Sequence, residues 1–413
     1  MATEKVSDKL DQIEETIMSG LKDFQKATVN RIAQLFIDGQ KRILVSDEVG
    51  LGKTLIARGT VAKLAKIRKA EGDKLVKVVY ICSNIAIADQ NLNKLRISSE
   101  VRKENAGYSR LSMQHLNIFN QENDTKLLDG FIQLIPLTPD TSFRMTTGAG
   151  TVSERALMFA ILRRLPEFQE ALPQIEVLMK NDAYSAWSGE KQYYENAVVS
   201  CDIKSKNRYL KYMSKKASSL LKKKQQTNQT VLRELLEHCK KIKSSGNQRI
   251  PSNEIINKLR NIFAQISLDK LEPDLVIMDE FQRFKYLINS ENNSEINMLT
   301  NKFFNSDKVR MLLLSATPYK MYSTLEEIDE TQVDEHYKEF LDVMDFLNVT
   351  EEEKSNFKTV WSDYSIKLKE ITKGSTTVIE AKNAAEGAMY HHICRTERIS
   401  ATESADMIND NSM

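Results

Sequence analysis

Cysteine is scarce in this chain: Cys82, Cys201, Cys239 and Cys394 stand far apart among 413 residues, with no CxxC pair. That spacing excludes a disulfide framework and a cysteine metal site, and it fits a reducing compartment. Long apolar runs are missing too. No segment approaches about 18 consecutive apolar residues, so the sequence offers no membrane span. No basic stretch followed by an apolar run opens the chain, so no secretion signal is read there. A cytoplasmic protein with no membrane partner is the expectation. No repeat of useful period is visible. Overall charge is nearly balanced, at a formal +2, while 41% hydrophobic content allows a large core in two or three domains. One region breaks the balance: residues 201–250 hold 14 Lys or Arg against three acidic residues, a local net of +11.

Apolar spacing sets out the elements. Val6, Leu10, Ile13, Ile17 and Leu21 predict an amphipathic N-terminal helix, and a second helix starts at Phe24-Gln25 and runs through Val29, Ile32, Leu35 and Phe36 until Gly39 stops it. The run at 42–45 predicts a buried strand that feeds a glycine-rich loop and a helix from Leu55. Further buried strands are expected at 76–82, 131–135, 275–278 and 311–314, with helices at 85–95 and 154–165. Between 166 and 251 strand signals vanish. Two amphipathic patterns replace them, Leu210, Met213, Ala217, Leu220, Leu221 and then Val231, Leu235, His238, Ile242, turned at Thr227-Asn228-Gln229. After Pro318 the chain is acidic and helical to about Glu370, with Phe340, Val343, Met344 and Leu347 on one face, and the last twenty residues carry no packed-core signature.

Three short stretches carry chemistry. In Ser46-Asp-Glu-Val-Gly-Leu-Gly-Lys-Thr54, Gly50 and Gly52 let backbone N–H groups turn toward a phosphate, Lys53 can neutralise β and γ oxygens, and Thr54 can hold magnesium. Asp47 stands where the strict phosphate-loop pattern has its first glycine. In Met278-Asp-Glu-Phe-Gln282, at the end of an apolar strand, Asp279 suits magnesium and Glu280 suits the activation of an attacking water. Leu314-Ser-Ala-Thr-Pro318 ends the next strand, where Ser315 and Thr317 offer hydroxyls to the carboxylate segment and the proline turns the chain out of the sheet.

In this order, Phe24-Gln25, 47–54, 277–284 and 313–321 resemble the first RecA-like lobe of superfamily 2 helicases and translocases, over roughly residues 20 to 400 apart from the helical insertion. The form Asp47-Glu-Val-Gly-Leu-Gly-Lys-Thr54 looks most like the Swi/Snf-type duplex DNA translocases and their bacterial relatives, a branch with Asp in place of that first glycine. The resemblance implies a P-loop α/β sheet and an ATP hydrolase using ATP and Mg2+. It assigns Gln25, with Phe24 beside it, to the adenine edge, and Lys53, Thr54, Asp279 and Glu280 to phosphate, metal and water. Gln282 sits where the branch has histidine, and Ser315 and Thr317 match the coupling motif. Ser83-Asn84 and Thr138 stand where such proteins touch the nucleic-acid backbone, and Arg395-Thr396 resembles a segment bridging two lobes.

The implied organisation is an N-terminal helix (1–22), a RecA-like lobe (23–165 and 252–325), a basic helical insertion (166–251), and a helical extension and linker (326–413). Lys215, Lys216 and Lys222 of the insertion are candidate nucleic-acid contacts beside the reading of a solvated basic face. The resemblance further implies a second lobe that would supply arginines to the ATP site, and nothing after Met413 encodes one. A separately encoded lobe or a homo-oligomer is therefore an expected partner, along with duplex DNA. A nucleotide-dependent DNA- or protein-binding module with little turnover is the alternative. An AAA+ remodeller is a third reading, which the Ser-Ala-Thr-Pro segment opposes.

Overall fold

The computed structural model describes residues 2–47, 50–83, 85–99, 101, 110–121, 131–137, 148–224, 228–244, 250–281, 309–315, 340–369 and 377–395. Six strands form one sheet: β1 (Arg42–Ser46), β2 (Val76–Ile81), β3 (Ile132–Leu137), β4 (Leu275–Asp279), β5 (Arg310–Ser315) and β6 (Ile393–Cys394), in the order β3-β2-β4-β5-β1-β6. Every pairing is parallel. Strands β1, β2 and β3 are buried along their whole length, as a parallel sheet covered on both faces requires.

Alternation along the strands divides the core in two. Ile43, Val45, Val78, Tyr80, Ile277 and Leu312 face helices α1 (Ala2–Ser19), α2 (Asp23–Ile37), α3 (Lys53–Ala70) and α4 (Ile85–Leu95). Leu44, Val79, Ile81, Val276, Met278 and Leu313 face the other way, into a core shared with a helix at 253–271 and with the C-terminal helices. This is a RecA-like P-loop α/β arrangement. Among the described residues no helix is long and apolar enough to cross a membrane.

A second core is built from the helical excursion between β3 and β4 together with a helix that precedes β3. It holds α5 (Gln114–Gln121), α6 (Val152–Leu162), α7 (Leu172–Lys180), α8 (Trp187–Lys204), α9 (Arg208–Leu221), α10 (Val231–Ser244) and much of α11 (Asn253–Leu271). Helix α6, expected at the edge of the α/β lobe, packs here instead, buried at every position from Ala156 to Leu162. A helix apolar all round needs neighbours on every side, and α7 and α8 supply them. The helical core therefore starts before the boundary expected at 165/166. Helix α11 belongs to both cores, lending Leu259 and Phe263 to one and Ala264, Leu268 and Leu271 to the other.

The C-terminal segment differs from a trailing extension. Residues 340–347 and helices α12 (Glu351–Lys369) and α13 (Thr377–Tyr390) bring Phe340, Met344, Phe357 and Met389 onto the sheet, and β6 adds a strand to β1. Leu44 N donates to His392 O at 2.8 Å, with Val45 in register with Cys394. A two-residue strand has no periodicity of its own, so its pairing is set by tertiary packing.

One buried carboxylate ties the excursion together. Glu154, 1% exposed, accepts from Ser112 Oγ at 2.7 Å, Arg110 at 2.9 Å, Thr151 N at 2.8 Å and Arg260 Nε at 3.2 Å. Burial alone would raise its pKa, but Arg260, Arg110 and the Ser112 hydroxyl hold it below the usual carboxylate value. Glu154→Ala strands the buried Arg260 guanidinium. We expect a loss of about 3–5 kcal/mol of stability, read as a lower urea midpoint by far-UV circular dichroism.

Candidate active site

All six parallel strands end at one edge of the sheet. There β1 delivers Ser46 and Asp47, β4 delivers Asp279 and Glu280, and β5, lying between them, delivers Ser315. Ser46 and Ser315 are in register as neighbours, and Asp279 pairs with Leu314. Side chains more than 200 positions apart in sequence thus meet at one edge.

The loop after β1 turns on two glycines in the left-handed region, Gly50 with φ 87° and Gly52 with φ 81°. Gly52 is the N-cap of α3, so the helix N-terminus opens directly onto the loop. A Cβ on Gly52 would lie 2.5 Å from Gln25 Nε2. Gln25 is buried beside the loop: its Nε2 donates to Leu51 O at 2.9 Å and its Oε1 accepts from Lys22 N at 3.0 Å. Helix α2 therefore clamps the loop through the residue that sequence reasoning assigned to the nucleobase. Phe24, one residue earlier, is half-buried.

Lys53 Nζ donates to Asp47 O at 2.9 Å. Burial lowers its pKa, and the carboxylates of Asp47, Asp279 and Glu280 oppose that shift. Three carboxylates act on one ammonium here, an acidic field of the kind that a divalent cation neutralises. Asp47 is itself 1% exposed, set into the edge where a phosphate-loop glycine was expected.

Asp279 is the most restrained group of the site. Its Oδ2 accepts from Tyr80 Oη at 2.5 Å and from Asn91 Nδ2 at 3.1 Å, and its Oδ1 accepts from Glu280 N at 3.0 Å. Asn91 also donates to the Tyr80 hydroxyl at 2.8 Å. Burial and the Asp279 charge push the Tyr80 pKa far up, so this hydroxyl stays a donor. Glu280 follows with φ 54°, a left-handed backbone that is unusual for a residue with a side chain. Sequence reasoning missed Tyr80 and Asn91. The signal was a tyrosine hydroxyl inside a strand read as buried, which must find a partner there.

Oxygen donors on Thr54 and Asp279 suit magnesium. Mg2+ commonly takes few protein ligands and the rest from phosphate and water, a mode that these two donors fit. Of the other residues expected at the site, Ser83 stands just past β2, half-exposed, while Asn84, Thr138, Gln282 and Thr317 lie outside the described residues.

Comparison with known proteins agrees with this geometry. Residues 19–135 match the family described as Type III restriction enzyme, res subunit, a stretch that runs from the end of α1 through the phosphate loop to β3. The match supports a helicase-like ATP-binding lobe of superfamily 2. No curated protein and no solved structure matched the chain.

Gly52→Ala puts a Cβ against the Gln25 amide in a backbone region that costs a side chain roughly 1–2 kcal/mol. Nucleotide affinity is expected to fall about tenfold or more with helical content unchanged, measured by calorimetric titration beside circular dichroism.

Proposed function

We propose that this chain is the ATP-binding lobe of an ATP-dependent DNA helicase or translocase, hydrolysing ATP to move on nucleic acid. The observation that carries the reading is the convergence of Lys53 with Asp47, Asp279 and Glu280 at the edge where β1 and β4 end. The loop N–H groups and the α3 N-terminus would receive the β-phosphate, and Lys53 the β and γ oxygens. Thr54 and Asp279 would hold magnesium, which supplies charge neutralisation on the transferring phosphoryl group. Glu280 accepts a proton from the attacking water in line with that group. Ser315, on the strand between the loop and the carboxylates, is placed to couple the two.

Within the superfamily we assign the chain to the Swi/Snf-type branch, and its track to duplex DNA in the cytoplasm. The support is Asp47-Glu-Val-Gly-Leu-Gly-Lys-Thr54, together with the burial of Asp47 and the bond its carbonyl makes to Lys53. A motor of this kind works between two lobes, so a separately encoded lobe or a second copy is the partner proposed to close the pocket.

The basic helices offer a face for the DNA backbone, and their ion pairs narrow it. Lys216 pairs with Asp269 at 3.1 Å and Lys222 with Glu167 at 2.6 Å, so both are partly neutralised within the fold. Lys211, Lys215, Lys240, Lys241 and Lys243 are exposed and form no ion pair among the described residues. Position separates these further. Helix α11 ends where the strands begin, since Lys77 Nζ at the start of β2 donates to Lys270 O at 3.0 Å. Over its 19 residues, about 28 Å, it leads from Ser252 to that point. Glu234 bonds Lys258 at 2.6 Å and His238 bonds Ser252 at 3.0 Å, so α10 runs antiparallel to α11 and carries Lys240, Lys241 and Lys243 past the α11 N-terminus. Lys215 adjoins the Lys216–Asp269 pair at the opposite end. Phosphate binding through the C-terminal half of α10 fits a motor that ignores sequence.

Two measurements test the reading. Purified chain should turn over ATP faster with duplex DNA, and Glu280→Gln should lower that rate by about 100-fold or more. Nucleotide and DNA binding with no turnover would favour the binding-module alternative. Lys240→Glu with Lys241→Glu and Lys243→Glu should weaken duplex binding, and flatten the log–log salt slope by about 0.9 for each phosphate no longer neutralised, whereas Lys211→Glu with Lys215→Glu should change it less, both read by fluorescence anisotropy.

A further inference from the structure

Asp279 is served by side chains from two elements that carry no part of the phosphate loop or of the carboxylate strand. Tyr80 comes from the C-terminal end of β2 and is fully buried, and Asn91 comes from α4. We propose that Tyr80 and Asn91 are positioning residues that aim the Asp279 carboxylate at magnesium. The proposal rests on the nucleotide-site reading above and adds to it the device that orients the metal ligand.

A carboxylate has about four lone-pair positions, two on each oxygen. Tyr80 Oη and Asn91 Nδ2 fill both on Oδ2, and Glu280 N takes one on Oδ1. Among the described residues, one lone pair remains, on Oδ1, so the carboxylate can offer its ligand a single direction. Asn91 also donates to the Tyr80 hydroxyl, which makes the three groups a closed triangle with no hydroxyl left to rotate away. Were these partners present only to satisfy buried polar atoms, Tyr80 and Asn91 could have bonded one another and left Asp279 to solvent. Both instead spend a donor on the same carboxylate oxygen.

The same carboxylate sets the residue after it. Glu280 holds φ 54°, and its N–H is bonded to Asp279 Oδ1. If the Asp279 carboxylate turns, that bond is lost and the left-handed turn that presents the Glu280 side chain loses its support. Tyr80 and Asn91 thus bear on both halves of the pair, the metal ligand directly and the water-activating group through the peptide between them. Partners of this kind around metal-bound carboxylates are worth about 10- to 100-fold in metal affinity.

The test compares nucleotide binding with and without magnesium. Tyr80→Phe keeps the ring and removes the hydroxyl, and Asn91→Ser, on the half-buried α4 face, serves if the first variant does not fold. By calorimetric titration, ATP affinity in chelator should match the parent protein, while the magnesium-dependent gain in affinity falls about tenfold in either variant. In turnover, the magnesium concentration for half-maximal rate should rise more than the rate at saturating magnesium falls. A magnesium-dependent gain identical to that of the parent would overturn the proposal and leave the site reading intact. If the parent itself shows no magnesium-dependent gain, the site reading fails and the proposal falls with it.

Discussion

Parallel pairing is the constraint on which everything else here depends. A parallel strand cannot be joined to its neighbour by a tight turn, so every connection between successive strands must cross back over the sheet, and all six strands end at the same edge. That geometry collects Asp47, the Asp279-Glu280 pair and Ser315 from three separate strand ends. The order of strands adds a second consequence. With β5 between β1 and β4, the phosphate loop and the carboxylates are one strand apart, and Ser315 fills the space between them. That order keeps Lys53 within the field of three carboxylates.

The site itself is built from groups held by elements other than their own. Gln25 on α2 grips the loop at Leu51, and Tyr80 on β2 with Asn91 on α4 grips Asp279 on β4. Each clamp is a hydrogen bond between residues far apart in sequence, made where water is excluded and where such bonds are worth most. A carboxylate held as Asp279 is needs little reorganisation when charge changes nearby.

How much of this was legible in the sequence depended on range. Buried strands announce themselves as apolar runs, and the loop as glycines followed by Lys53-Thr54, because those signals are local. Tyr80 sat within such a run and read as one more hydrophobe; its role depends on Asp279, 199 residues away. The strand at Ile393–Cys394 is too short to show a period and exists because β1 offers an open edge. The membership of α6 in the helical core was hidden because α6 is apolar on every side, which a strand-bearing lobe and a helical bundle both permit. The basic block was visible as composition, but only ion pairs and the course of α11 divide Lys216 and Lys222 from Lys240, Lys241 and Lys243.

One group of the site is held by the loop itself. Lys53 rests on Asp47 O, a neutral acceptor within the same turn, at 2.9 Å. Its donor is an ammonium, so a bond of this kind contributes about 1.5–3 kcal/mol net. A phosphate oxygen in the cradle would bring an anionic charge to the same ammonium in place of a neutral carbonyl, so the exchange would favour the ligand. Burial, which lowers the Lys53 pKa, acts in the same direction, because an ammonium short of water gains more from an anion. Lys53 is thus oriented by the loop's own backbone, while Gln25 and Asp279 are fixed around it by bonds that reach from one element to another.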